Sequence, residues 1–175
     1  MHINFEFKAS HDDIGGAEQI LLQHQPEFVG EDHQTDTYFN VPNGRLKLRE
    51  GNIEHALIFY ERSNTATAKQ SNVILSQHKP DAALKSILEK SLGIKTIVDK
   101  KRRIYFIDNV KFHFDKVKDL GSFIEVEAID KEGSLGIEKI KEQCAYYQQL
   151  FGIENENFVA VSYSDLLLAK KSSIG

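Results

Sequence analysis

The sequence predicts an α+β fold built on a closed antiparallel β-barrel of about eight strands, with helices packed outside it. Two patterns point there. Strand-length segments of alternating polarity follow one another with short turn signals between them, without βαβ alternation or an internal repeat. Their polar faces carry charge on segment after segment, while the opposite faces carry Phe, Ile, Leu and Val. An even set of such strands can close on itself and leave no exposed edge.

The elements follow in order. Ile3 to Lys8 alternates strictly, with Ile3, Phe5 and Phe7 against Asn4, Glu6 and Lys8. Asp12 is placed to cap a helix bearing Ala17, Ile20 and Leu21 on one face, and Pro26 stops it. Thr35 to Phe39 and Arg45 to Glu50 read as a hairpin around Asn43-Gly44, and Ala56 to Arg62 follows as the next strand. Ser63 to Ser71 is uniformly polar and reads as a mobile loop whose Lys69 could fold over a bound anion; Asn72 to Gln77 returns to strand. Pro80-Asp81 opens a helix through Leu92, with Gly93 at its end. Thr96 to Ile107 and Val110 to Val117 pair across Asp108-Asn109, and Phe123 to Ile129 is the last strong strand. Ser134 is expected to cap a helix to about Phe151, and a short helix runs from Ser164 to Lys170.

A chain of 175 residues fits one domain, 1–170, with 171–175 expected to fray. The single Cys permits no internal disulfide and no cysteine-based zinc site, and Cys144 falls on an apolar helix face as a core residue. The first residues lack the pattern of a secretory signal, and no run approaches the roughly 18 apolar residues of a membrane span. Cytoplasmic location is the default expectation. A net charge of −4 argues against coating nucleic acid by bulk charge.

Where the charges sit matters more than their sum. The polar positions of the strands are Glu6 and Lys8; Arg45, Lys47 and Arg49; Arg62; Lys101 and Arg103; Lys111, His113 and Asp115; Glu125 and Glu127. Opposite them stand Phe5, Phe7, Leu46, Leu48, Ile104, Phe106, Phe112, Phe114, Ile124 and Val126, where helices can dock. In the run Lys100 to Arg103, alternation puts Lys101 and Arg103 on the polar face and Lys100 and Arg102 outside. If helices cover the apolar faces, the charges of a closed barrel point into its lumen. Desolvated charges make a poor core unless paired, so the faces read as a wet polyvalent site, the alternative being a self-satisfied salt-bridge network. Arg forks suit phosphate oxygens. Carboxylates suit Mg²⁺ or Mn²⁺; Glu125 and Glu127 share a face, and Asp115 and Glu6 can complete the cluster.

The residues also resemble a known family. The opening NFEFKA is similar to the E-x-E-x-K signature of the CYTH superfamily, the triphosphate tunnel enzymes. QTDTYFNVPNGRLKLRE resembles a segment of class IV adenylyl cyclases and their relatives, and HFDKVKDLGSFIEVE and SYSDLL resemble later blocks. The resemblance implies a barrel tunnel, metal-dependent chemistry on a triphosphate, and often a homodimer. It implies that Glu6, Asp115, Glu125 and Glu127 bind metal, and that Lys8, Arg45, Lys47, Arg49, Arg62, Lys101, Arg103 and Lys111 bind phosphate. Asn4 stands where the signature has its first Glu, and an amide is a poorer metal ligand than a carboxylate.

Two enzyme readings share this site. ATP could be cyclised to cyclic AMP with loss of pyrophosphate, or water could attack the terminal phosphorus of an inorganic or organic triphosphate. Lys8 is the candidate for assisting deprotonation in either, provided neighbouring cations lower its pKa. The long TDTYF to GRLKLR similarity favours the cyclase. A binding protein without catalysis is the third reading.

Overall fold

Strand register alone closes the barrel. The structure, a computed structural model, describes residues 2–62 and 67–174, and only the backbone of Arg62 and Ile174. Its strands are β1 (His2–Ser10), β2 (Glu27–Phe39), β3 (Arg45–Glu50), β4 (His55–Arg62), β5 (Lys69–Gln77), β6 (Ile94–Ile107), β7 (Val110–Val117) and β8 (Gly121–Asp130). They close in the order β1-β5-β4-β3-β2-β6-β7-β8, and each pairing is antiparallel. The helices are α1 (Ile14–Leu22), α2 (Ala82–Leu92), α3 (Ile137–Leu150) and α4 (Tyr163–Ile174).

Local chemistry sets the boundaries. Asp13, not Asp12, caps α1, its carboxylate accepting from the Gly16 amide at 2.9 Å. Asp81 caps α2 as expected. Gly93 ends that helix with the positive φ that glycine adopts without steric cost. Gly44 turns the β2–β3 hairpin, also at positive φ, and a Cβ there would stand 2.6 Å from the Phe59 ring. α3 starts after Gly136 rather than at Ser134, and α4 runs on to Ile174 where fraying was expected. β2 begins at Glu27 and β5 at Lys69, so Lys69 is a strand residue, 3% exposed, and not a loop lysine. Of the loop expected over Ser63 to Ser71, residues 63–66 lie outside the described residues.

Two apolar cores result. The outer one joins Phe7, Tyr105, Phe112, Phe114, Ile124 and Val126 to Leu21 of α1 and Ile140, Cys144 and Tyr147 of α3. Cys144 is a core residue there, its thiol donating to the Phe5 carbonyl and burial pushing its pKa up to about 12. The second core lies at one end of the barrel itself. Tyr38, Tyr60, Val98, Val117 and Phe123 pack there against Tyr163 and Leu167, so α4 stops that end rather than resting outside. Charge is thereby confined to the middle of the lumen and its other end.

Strand β6 departs from the expected facing. Lys100 and Arg102 are 2% and 3% exposed and point inward with Ile104 and Phe106, whereas Lys101 and Arg103 face out. The outward Tyr105 packs in the helix-covered core against Phe28 and Phe114. The cations of the run therefore divide between the two sides, and the outward Arg103 is held by Glu18 of α1 at 2.6 Å.

Removing a ring from the outer core tests this division. Phe112→Ala should lose about 3–5 kcal/mol in chemical denaturation, while Ile87→Ala on the exposed face of α2 should stay within about 0.5 kcal/mol.

Candidate functional site

The lumen between α4 and the opposite end forms a cavity of about 430 Å³. One wall is cationic. On β3, Lys47 and Arg49 alternate inward; on β6, Lys100 and Arg102 do; on β7, Lys111 does. Beside this wall, β1 and β8 carry carboxylates together with Lys8, and Arg102 donates to Glu125 at 3.2 Å. The Glu6–Glu127 and Lys8–Glu125 cross-strand pairs bring Glu6, Glu125 and Glu127 together. Each offers an oxygen within 4.8 Å of the others.

Two buried acids and the half-buried Glu54 hold the cations in place. Asp36 on β2 accepts a two-pronged Arg49 fork at 2.9 and 2.8 Å and the Lys100 ammonium at 2.8 Å. Paired charged bonds of this kind are the strong ones. The Lys47 ammonium stands 3.2 Å from the same carboxylate. Asp115 on β7 accepts the Arg102 fork at 2.7 Å on both oxygens and the Tyr163 hydroxyl at 2.7 Å. Glu54 accepts from Lys111 at 2.8 Å and Gln34 at 2.9 Å. It is delivered by a tight β3–β4 turn that Asp32 ties down through the amides of Asn52, Ile53 and Glu54.

The electrostatics separate these groups. Burial works against the Asp36 and Asp115 carboxylates, but Arg49 and Lys100 beside one and Arg102 beside the other outweigh it and hold both below their usual range. Glu54 is likewise held low by Arg49 and Lys111 against burial. Burial pushes Lys100 down to about 7; Asp36 opposes that, while Arg102, Arg49 and Lys47 add to it. Burial also raises Glu127 to about 8, with the neighbouring Glu6 and Glu125 adding to the shift. His113, buried and close to Arg102, falls to about 4 and stands neutral 3.5 Å from Glu125.

The expected site residues therefore divide. Glu6, Glu125, Glu127, Lys8, Lys47, Arg49 and Lys111 line one cavity. Asp115 is buried beside it, but its oxygens are occupied by Arg102 and Tyr163, so it positions that arginine and stands outside the carboxylate cluster. Arg45 reaches α4, bonding Asp165 at 2.9 Å. Lys8 donates to the Val161 carbonyl at 3.2 Å. Its ammonium also lies 4.2 Å over the Tyr163 ring. The side chain of Arg62 lies outside the described residues; its backbone pairs with Ser71. Lys101 and Arg103 are not in the lumen, and Lys100 and Arg102 take their place. Asp36 and Glu54 were missed, although Asp36 shares its parity with Tyr38, which faces the cavity.

Asn4 lines the same cavity, 4% exposed, with its side-chain oxygen lacking a hydrogen-bond partner. A buried hard oxygen beside three carboxylates fits a divalent cation.

Comparison with known proteins agrees with this fold. The CYTH domain family matches residues 2–163. A conserved hypothetical protein from Pyrococcus furiosus superposes with a TM-score of 0.75 at 22% identity, covering 95% of this chain and 99% of its own. A Vibrio parahaemolyticus protein provisionally described as an adenylate cyclase gives 0.77 at 17% identity, over 94% and 97%. A Hippeastrum protein, provisionally an adenylyl cyclase and described as having a dominant triphosphatase activity, gives 0.58 at 13%, over 98% and 96%. At these identities the likeness is one of fold. No curated protein matches the chain.

The buried Lys100 makes stability depend on pH. Its pKa is held at about 7 in the fold against 10.5 as the ordinary value, so between those limits the unfolded chain binds more protons. Stability should rise with pH across that window, by up to about 1.4 kcal/mol per pH unit, and fall as pH drops towards the folded value. Denaturation of Lys100→Met at several pH values should show that slope removed.

Proposed function

Because the chain belongs to the CYTH domain family, we propose that it is a metal-dependent enzyme performing phosphorus–oxygen chemistry on a triphosphate held in the barrel lumen. One observation carries the reading: a set of ordered cations and a carboxylate trio line the same cavity and meet there, Arg102 donating to Glu125 at 3.2 Å. Among the described lining residues seven Lys and Arg stand against five Asp and Glu. That cationic excess suits a polyanion such as a triphosphate carrying a divalent cation.

Glu6, Glu125 and Glu127 would hold Mg²⁺ or Mn²⁺, with the Asn4 oxygen beside them. When bound, the ion supplies charge neutralisation at phosphoryl oxygens. The chain does the rest by positioning. Lys47, Arg49, Lys100, Arg102 and Lys111 bind phosphate oxygens, already oriented by Asp36, Asp115 and Glu54. Such preordered cations stabilise charge as it develops without having to reorganise. Asp115 and Tyr163 act through Arg102. Lys8, which pairs across strands with Glu125 and lines the cavity, stays the candidate for assisting deprotonation.

The reaction proposed first is cyclisation of ATP to cyclic AMP and pyrophosphate, on the similarity of the segment Gln34 to Glu50. Hydrolysis of the triphosphate is the second reading, supported by the activity described for the Hippeastrum protein of the same fold. The cytoplasmic setting and a homodimer remain part of the proposal; no helix of the described residues is long and apolar enough to cross a membrane.

Incubation with ATP or inorganic triphosphate and Mg²⁺ or Mn²⁺ tests the reading through its products. Cyclic AMP with pyrophosphate supports cyclisation and orthophosphate supports hydrolysis; triphosphate that stabilises the protein without turnover leaves a binding protein. Glu125→Gln should reduce metal-dependent turnover by about 10–100-fold or more, and Asn4→Glu should raise metal affinity. No binding of triphosphate in the presence of metal would end the proposal.

A further inference from the structure

Two histidines at the barrel rim each keep a buried nitrogen out of any hydrogen bond among the described residues, His55 Nδ1 and His78 Nε2. His55 opens β4 and His78 follows the last residue of β5, and the ladder carries on through them: the His78 amide donates to the His55 carbonyl at 3.2 Å. They are therefore direct cross-strand neighbours, although far apart in sequence. Their rings lie 5.1 Å apart between centroids and nearly perpendicular.

Register adds a carboxylate to the pair. Glu50 lies opposite His55 across β3 and β4, so Glu50, His55 and His78 form one row over three strands. Alternation puts that row on the outer face, because Arg49, Glu54, Ile58 and Gln77 line the lumen. The row stands at the strand ends opposite those packed on α4. A second cavity of about 420 Å³ opens at this end, and its lining includes both histidines, Ile53, Ile104 and Phe106.

His78 is oriented as a ligand. Its Nδ1 lies 2.7 Å from the Lys79 carbonyl, which can only accept, so the proton sits on Nδ1 and the neutral ring presents a lone pair at Nε2. Metal-bound imidazoles are commonly fixed by such a bond to a backbone carbonyl. His55 is fixed from its own side, following the β3–β4 turn that Asp32 clamps through the amides of Asn52, Ile53 and Glu54. The ring spacing agrees. Two imidazoles sharing a tetrahedral ion at about 2.0–2.1 Å from each nitrogen have ring centres roughly 5 Å apart. Glu50 is engaged with Lys85 of α2 at 2.9 Å, but the two side chains are 33% and 35% exposed, and a surface pair of that kind holds little net energy. An incoming ion can take the carboxylate from it.

Imidazole nitrogens with one carboxylate suit Zn²⁺, Ni²⁺ or Cu²⁺, whereas the hard ions Mg²⁺ and Mn²⁺ prefer an all-oxygen set such as the lumen trio. We propose that Glu50, His55 and His78 form a site for a divalent transition metal of the Zn²⁺ class on the outer rim of the barrel, separate from the trio. His55 Nδ1 and His78 Nε2 are its nitrogen ligands, and Glu50 exchanges Lys85 for the ion. Bound there, the metal ties β3, β4 and β5 together one residue from Glu54. The site stands whether or not the lumen holds a triphosphate.

The test is titration of the metal-free full chain with Zn²⁺, read by calorimetry and by the ¹⁵N resonances of histidine. Binding should shift His55 Nδ1 and His78 Nε2. His55→Ala and His78→Ala should each weaken that event by about tenfold or more, and Glu50→Gln should weaken it by a smaller factor. Glu125→Gln, which removes a carboxylate from the trio, should leave it unchanged. The proposal is overturned if those two wild-type resonances stay in place as Zn²⁺ is added, if the affinity survives in both histidine variants, or if Glu125→Gln abolishes the binding. Unchanged affinity in Glu50→Gln overturns the three-ligand site. The wild-type spectra decide the matter even where a variant fails to fold.

Discussion

The structure depends on keeping charge inside a closed sheet. A barrel with helices against half of its outer surface has nowhere else to put the polar faces of β1, β3, β6, β7 and β8, and ions removed from water are costly unless matched. Asp36, Asp115 and Glu54 supply the match. Asp36 and Asp115 are buried and bond cations of neighbouring strands, and the half-buried Glu54 bonds Lys111 of β7 from the β3–β4 turn. The pairing fixes guanidinium and ammonium groups at defined points around the lumen, so the same bonds that make the interior tolerable also make it ordered. A self-satisfied network would stop there. This one does not, because the carboxylates of Glu6, Glu125 and Glu127 are also grouped with one another, although Arg102 reaches Glu125 at 3.2 Å.

How much of this could be read beforehand varied by strand, for a physical reason. On β1, β7 and β8 charged residues alternate with Phe, Ile and Val, and the apolar side faces α1 or α3, so parity follows directly from the residues. β6 defeats that logic. Four consecutive cations give no alternation, and its inward positions are apolar at both ends: Val98 packs under α4, Ile104 and Phe106 line the far cavity. Taking apolar to mean outward moves the whole strand by one residue. The cross-strand partner would have decided it, since Arg102 lies opposite Asp115.

The missed acids were hidden for a different reason. β2 is polar on both faces near Asp36, where Thr35 and Thr37 flank it, so period alone does not single it out. Glu54 belongs to a turn, and only Asp32 reaching across from β2 turns it inward. The closing helix was legible as a helix, yet its place inside the barrel end was not. Tyr163 and Leu167 look like ordinary apolar positions until the ring of inward Tyr, Val and Phe residues that receives them is assembled from five strands.

The acids of the lumen differ by neighbour, not by type, and Glu125 belongs to both sets, grouped with Glu6 and Glu127 yet held low by His113 and Arg102 against burial. Asp36, Asp115 and Glu54 face cations and are ionised more readily than in water, which makes them fixed parts of the frame. Glu127 faces other carboxylates and ionises less readily, and Asn4 adds a buried oxygen with no partner to the same cavity. A frame acid that lost its cation would leave a buried charge stranded, whereas the trio gains from any cation that enters. Replacing the signature carboxylate by Asn4 lowers the charge of the trio's surroundings without removing an oxygen donor. If the trio holds a metal as proposed, its attraction for the ion relies more heavily on the phosphates that arrive with it, which couples occupancy by the ion to occupancy by the polyanion.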